Sequence, residues 1–178
     1  MRENSIQNNG LVNGGLKKKI TFKPVGVIRT PHNDPSQTPI QPVFAKGIRG
    51  TVEIFPDYTD GLQDLEGFSH IYLIYYFDRI KQVKLKVWPY LENRERGVFA
   101  TRSPQRPNTL GLSLVHLVGI NGNVLEVEDI DILNGTPLLD IKPYVYRFDS
   151  RVHTRSGWLD RIPDKLAVLL GSRRRKRR

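Results

Sequence analysis

Three polar islands interrupt the strand pattern of the sequence, and each carries side chains that can hold a charged or hydrogen-bonding ligand. The first is Thr101–Asn108 (TRSPQRPN), in which Arg102 and Arg106 are set among Pro104 and Pro107. Proline fixes its own φ and restricts the residue before it, here Ser103 and Arg106. Two guanidiniums on a stiffened loop suit a carboxylate or a phosphate, with little ordering entropy lost on binding. A surface turn with incidental arginines would read the same way. The second island is Asp131–Tyr144 (DILNGTPLLDIKPY), where Asn134-Gly135-Thr136-Pro137 signals a tight turn. Asp131 can accept hydrogen bonds from an adenine amino group or ribose hydroxyls, and Lys142 can meet a phosphate. Equally, Asp140 and Lys142 lie two apart on a strand and can simply share its solvent face. The third island is Pro31–Pro42, with prolines at 31, 35, 39 and 42 and Gln41 between Ile40 and Pro42. A glutamine amide can read an adenine edge, although a lone loop glutamine needs no ligand.

The four histidines are His32, His70, His116 and His153. None is paired at metal-ligand spacing, so no metal site is expected. His70 opens the apolar run HIYLIYYFD and is the one of interest, with a hydrogen-bonded structural histidine as its ordinary reading.

The elements that must position these residues are mostly strands. Ile20–Thr30, Gly50–Phe55, His70–Asp78, Gly97–Thr101, Leu114–Ile120, Val124–Glu128 and Leu138–Val145 read as extended. The run 70–78 is apolar nearly throughout, as in a central strand or one at an interface. Asn121-Gly122 signals a hairpin, Tyr58–Gly67 a turn with a short helix, and Pro31–Pro42 a long exposed loop. One helix is expected near residue 163, with Pro163 in its first turn, Ile162, Leu166, Leu169 and Leu170 on one face, and Gly171 as its stop. Short strands with turn signals and few helices predict a mainly β protein, a barrel or strongly curved sheet. No Gly-rich strand–loop–helix segment of the Rossmann kind is present.

With 178 residues, 38% hydrophobic and 26% charged, the chain has material for one core. It has no cysteine, which excludes thiolate zinc sites, iron–sulfur clusters, disulfides and cysteine nucleophiles. No apolar run approaches the roughly 20 residues that span a bilayer, and the first residues lack the apolar stretch of a secretory signal. A soluble, cytoplasmic protein is expected. The net charge of +10 is unevenly placed: +3 falls in residues 1–19 and +6 in 173–178, leaving +1 for 20–172. Residues 1–19 are expected to be a disordered basic tail, 20–150 the barrel domain, 151–172 an extension with the short helix, and 173–178 a second basic tail. Such tails can hold a polyanion without reading its sequence, or can merely be solvated.

Taken together, the motifs PVGVIRTP (24–31), LEGFSHIYLIYYF (65–77), GVFATRSPQRPNTLGLSLV (97–115) and DILNGTPLLDIKPY (131–144) resemble the TrmO family. These are tRNA N6-threonylcarbamoyladenosine methyltransferases with a TsaA-like domain. The resemblance runs from about Phe22 to Tyr144. It implies a single TsaA-like β-barrel that binds S-adenosylmethionine without a Rossmann sheet, a homodimer whose interface helps form the site, and tRNA as partner. By similarity, donor contacts fall on Pro39, Ile40, Gln41, His70, Ile71, Arg102, Leu112, Asp131, Ile132, Leu133 and Asn134. Positions 40 and 134 depart from the commoner family residues, which is harmless where the backbone makes the contact. The implied reaction transfers a methyl group to N6 of threonylcarbamoylated adenosine beside the anticodon. Arg106 and Lys142 are candidates for holding the threonylcarbamoyl group. Tyr144 joins them as a substrate-side residue, and Tyr144 and His70 are the candidates for a base. The competing reading is a non-catalytic nucleotide- or RNA-binding barrel that relies on its basic tails. A third keeps the donor and changes the acceptor.

Overall fold

The computed structural model describes residues 6–7 and 20–173. Its strands are β1 (Ile6–Gln7), β2 (Thr21–Phe22), β3 (Gly26–Arg29), β4 (Arg49–Ile54), β5 (His70–Tyr76), β6 (Lys86–Val87), β7 (Arg96–Gly97), β8 (Leu110–Asn121), β9 (Val124–Glu128) and β10 (Thr136–Pro143). Two short helices follow, α1 (Tyr146–Asp149) and α2 (Asp164–Gly171). Six strands close into a barrel in the order β10-β3-β4-β9-β8-β5, with β10 pairing both β3 and β5. Every barrel pair is antiparallel. Closure leaves no sheet edge in the barrel, and the mainly β expectation holds.

The alternation of side chains builds the core. Ile28, Val52, Ile71, Leu73, Val115, Leu125, Val127, Ile130 and Leu138 point inward and are fully buried. Residues between them point out, so the apolar run of β5 serves two faces: Ile71, Leu73 and Tyr75 fill the core, while His70, Tyr72, Ile74 and Tyr76 line the outside. A complete ring of antiparallel strands also sends the connections 30–48, 77–109 and 129–135 to the same end of the barrel. The first and third polar islands lie in those connections, and the second begins in 129–135 and runs along β10 to the other end of the barrel.

Several elements differ from the sequence expectation. Ile20–Thr30 is two strands, because Pro24 has no N–H to continue a ladder. Gly97–Thr101 is not a strand. After Gly97 the chain turns into a 3-10 helix, Val98–Ala100, where the Val98 carbonyl accepts from both the N–H and the hydroxyl of Thr101. β8 begins four residues earlier than expected, since Leu110–Ser113 pair with β5. The Asn121-Gly122 hairpin is present, with Gly122 at φ 59°. Pro163 precedes α2 as its N-cap, and Gly171 is that helix's last residue. Leu166 and Leu169 are 40% and 48% exposed, so the expected buried face of α2 is only partly buried.

Within the N-terminal stretch expected to be disordered, Ile6–Gln7 pairs with Phe22–Thr21. The rest of that expectation, and the basic run 174–178, lie outside the described residues. No helix among the described residues is long and apolar enough to cross a membrane.

Candidate functional site

At the shared end of the barrel, a cation contacts an amide, and its charge reaches a carboxyl group. Arg102 projects from the connection before β8, and its Nη1 donates to Gln41 Oε1 at 2.5 Å. The Gln41 amide is oriented by its own Nε2, which donates to the Ile40 carbonyl. This bond ties the proline-rich connection to the TRSPQRPN connection, 61 residues apart in sequence. Arg102 is exposed, so its charge remains available to a ligand. That charge also reaches Asp131, Tyr75 and Tyr72.

Asp131 sits in the connection between β9 and β10, half-buried at the end of the core. The Ser113 hydroxyl donates to its Oδ1 at 2.6 Å, and the Tyr75 hydroxyl lies 3.1 Å from the same Ser113 oxygen. Burial pushes the Asp131 carboxyl up to about 6, opposed by the Ser113 hydrogen bond, its own backbone N–H and the Arg102 charge. Burial likewise pushes the Tyr75 phenol up, so it stays neutral. The Tyr75 ring occupies the place where residue 111 would put a side chain: a Cβ there would meet ring carbons at 2.1–2.7 Å. Gly111 is therefore a steric requirement of this arrangement.

The outer face of β5 carries an aromatic row. The rings of Tyr72 and Tyr144 lie 5.9 Å apart edge-on, those of His70 and Tyr144 6.4 Å, and those of His70 and His116 5.3 Å. Ser69 Oγ is 2.9 Å from His70 Nδ1. His116 Nδ1 is 3.7 Å from Glu128, whose other oxygen is held by Arg49 at 2.8 Å. Burial is also the main reason that the Tyr72 phenol is raised, followed by the charges of Asp149 and Tyr144. Leu112, 54% exposed, shares this outer face.

The expected donor residues divide by what they can offer. Gln41, Arg102 and Asp131 come together. His70 and Leu112 lie along the adjoining outer face. Ile71 and Ile132 point into the core at 0% and 2% exposure, so a ligand can meet only their backbone. Pro39 is buried, while Ile40 and Leu133 are half-buried. The Ile40 N–H is committed to the Gly171 carbonyl, and the Leu133 carbonyl to the Thr136 hydroxyl. Asn134 is a fastener: its Oδ1 accepts from Thr30 N–H, its Nδ2 donates to Asn33, and its carbonyl accepts from Arg79. Thr30 and His32 reach the carbonyls of Ile132 and Ile130 at 2.7 and 2.9 Å. Two connections are thus laced together beneath Asp131.

On the substrate side, Arg106 Nη1 lies 3.4 Å from the Thr101 carbonyl. Lys142 is paired with Asp140 at 2.9 Å on the exposed face, the arrangement that strand alternation alone suggests. The sequence reading missed Ser113, Tyr75, Tyr72 and His116. A small hydroxyl at an inward position of β8 was the one available signal for Ser113. No group of three or more potential metal ligands is found among the described residues. A cavity of about 410 Å³ lies on the β3–β4–β9 side, between Arg29, Arg49, Thr51, Val118 and Glu126, and shares only Asn134 with the expected donor residues.

A closed antiparallel barrel with Arg102, Gln41 and Asp131 at one end is a different architecture from the parallel nucleotide-binding sheets. The chain belongs to the TrmO family, for the model of the tRNA-methyltransferase O N-terminal domain matches residues 27–150. It is 53% identical over 151 residues to a "Probable S-adenosyl-L-methionine-binding protein" of Pyrococcus abyssi, covering 85% of this chain and 82% of that one. It is 36% identical over 135 residues to the tRNA (adenine(37)-N6)-methyltransferase of Homo sapiens, covering 72% of this chain and 31% of the human protein. The crystal structure of TrmO from Pseudomonas aeruginosa superposes with a TM-score of 0.65 at 37% identity, over 77% of this chain and 61% of that one. The chain thus spans under a third of the human relative and under two thirds of that solved structure.

Proposed function

We propose that this protein is an S-adenosylmethionine-dependent methyltransferase acting on N6 of adenosine 37 in tRNA, with the threonylcarbamoylated nucleoside as its acceptor. The observation that carries the reading is the Arg102–Gln41–Asp131 cluster in a chain of the TrmO family. S-adenosylmethionine has a carboxylate, a hydrogen-bonding adenine and a ribose diol. The cluster offers a guanidinium, an amide and a carboxyl group, with Leu112 as exposed apolar surface beside them. That match of groups supports the donor as ligand, and the names of the relatives point the same way.

When bound, the donor supplies an electrophilic methyl on a sulfonium. The chain's own residues do the rest. Arg102 and Gln41 hold a carboxylate end, and Asp131 accepts from hydroxyl or amino groups. N6 of the acceptor is a weak nucleophile, so holding it in line with the methyl supplies much of the acceleration. A base at hydrogen-bond range assists by taking the N6 proton, and His70 and Tyr144 are the candidates. Tyr72, a neutral phenol near pH 7, serves as a hydrogen-bond donor. In this reading Arg106 and Lys142 hold the threonylcarbamoyl carbonyl and carboxylate, Lys142 by exchanging Asp140 for the ligand.

A homodimer is part of the proposal. Leu112, Tyr146, Phe148 and Val152 are between 54% and 77% exposed, and a second copy would cover such apolar side chains. Arg173 lies over the Tyr90 ring at 3.9 Å from its centroid and donates to the Pro35 carbonyl. Arg173 is thereby held beside the proline-rich connection, and the five cationic residues that follow it in sequence add charge that can attract tRNA phosphates.

The deciding experiment incubates the pure protein with S-adenosylmethionine and tRNA and digests the tRNA for nucleoside mass spectrometry. Methylated threonylcarbamoyladenosine is the expected product. Methylated adenosine without the threonylcarbamoyl group would overturn the acceptor assignment alone. Donor binding with no transfer to any tRNA would favour a non-catalytic binding barrel, the activity implied by relatives named only for binding.

A further inference from the structure

The segment 151–173 lies beyond the family match of 27–150, and it touches both connections that carry the donor cluster. On one side, the Gly171 carbonyl at the end of α2 accepts the Ile40 N–H at 3.0 Å. Gly171 is seated against the Phe44 ring so closely that a Cβ would meet ring carbons at 2.4–2.8 Å. On the other side, Trp158 Nε1 donates to the Ala100 carbonyl at 2.8 Å. The Trp158 ring is covered by the Arg96 guanidinium at 5.7 Å, and Arg96 is held by both carboxylate oxygens of Glu92 at 2.8 Å. The first brace is one residue before Gln41 and the second is two residues before Arg102. The Gln41–Arg102 hydrogen bond lies between them.

The energetics of α2 support this pairing of parts. Eight residues make too few turns for a helix to persist alone in water, and Leu166, Val168 and Leu169 gain little from burial at 40%, 56% and 48% exposure. Docking through Gly171 is therefore a main reason for α2 to hold its place, and the proline-rich connection is held in return.

We propose that Gly157–Gly171 is a positioning clamp for the donor site. By fixing Ile40 and Ala100 it sets how far apart Gln41 and Arg102 stand, and so sets donor affinity. Trp158 and Gly171 are its positioning residues. The proposal rests on the donor reading given above.

The test uses the full chain as wild type, Trp158→Phe, Gly171→Ala and the double variant Gly171→Ala/Phe44→Ala. Donor affinity is measured by calorimetry, thermal unfolding by circular dichroism, and opening of residues 36–44 and 98–106 without donor by amide hydrogen exchange. Each single variant is expected to bind donor about three- to tenfold more weakly, the scale of one hydrogen bond. Exchange should quicken in the braced connection, with turnover at saturating donor near wild type. Removing the Phe44 ring should restore affinity to Gly171→Ala by making room for its methyl group. Wild-type affinity and unchanged exchange in both single variants would overturn the clamp. So would lowered thermal stability with donor affinity untouched, since that marks a purely structural segment. A wild-type protein that binds no donor defeats the donor reading instead, while the exchange measurement still decides whether the segment braces the two connections.

Discussion

The Ser113 hydroxyl donates to Asp131 Oδ1 at 2.6 Å from the second half of an inward-facing pair, Gly111 and Ser113, that also accommodates the Tyr75 ring and hydroxyl. This contact makes a core residue of β8 answerable for the charge of a carboxyl group at the barrel end. Burial raises the Asp131 carboxyl to about 6, and Ser113 is the largest influence holding it down. Donor affinity is therefore expected to fall as pH drops through about 6, where Asp131 takes up a proton and can no longer accept as an anion. Ser113→Ala should move that midpoint upward and weaken binding several-fold at pH 7. Calorimetric titrations between pH 5 and 8.5 check both the midpoint and its displacement.

The same carboxyl group influences stability. Its folded value of about 6 lies above the ordinary 3.8, so between those values the folded chain holds a proton that the unfolded chain releases. Stability from this group is full below about 4 and is lost as pH rises through 6. Asp131→Asn should accordingly stabilise the protein at pH 8, by at most about 3 kcal/mol, while abolishing the pH dependence of donor binding. Urea unfolding at pH 5 and pH 8 measures the difference. An equal effect at both pH values would contradict the assigned ionisation.

Arg102→Ala removes an exposed side chain whose recorded hydrogen bond is to Gln41. The fold should survive with a stability change within about 0.5 kcal/mol, as for other surface positions. Donor affinity should drop about tenfold or more, because a charge-assisted contact is worth roughly 1.5–3 kcal/mol. A well-folded variant with wild-type affinity would remove Arg102 from the site.

Gly111→Ala forces a methyl group into the Tyr75 ring. Overpacking of this kind costs about 1–3 kcal/mol, and displacing the ring also disturbs the Ser113–Asp131 contact. Both lower stability and weaker donor binding are expected. Pairing the change with Tyr75→Leu should recover most of the stability.

Deleting 174–178 removes the five cationic residues that follow Arg173 in sequence. The deletion should weaken tRNA binding and flatten its salt dependence, since each released phosphate contact contributes about 0.9 to the logarithmic slope on duplex regions. Filter binding between 50 and 300 mM salt reads the slope directly. Donor affinity should be unchanged.

The strands of this protein were legible because their information is local. Val124–Glu128 and His70–Tyr76 alternate, Asn121-Gly122 turns, and Pro24 interrupts, each over a few residues. The polar islands were legible too, because arginine on a proline-stiffened loop and aspartate before Asn-Gly stand out against apolar surroundings. Gly97–Thr101 misled because its β-branched composition hides a turn that depends on the Thr101 hydroxyl finding the Val98 carbonyl.

By itself, then, the sequence determined the strand content, the family motifs and the placement of charge in the tails rather than the body. Only the tertiary structure decided which island residues share a site. Closing the barrel carries the connections at 30–48, 77–109 and 129–135 to one end, and that brings Gln41 to Arg102 across 61 residues of sequence and Asp131 to Ser113 across 18. It also turned Ile71 and Ile132 into the core, committed Asn134 to Thr30 and Asn33, and recruited Ser113 and Tyr75. These outcomes depend on strand register and barrel tilt, which a contact between distant residues fixes and no local pattern encodes.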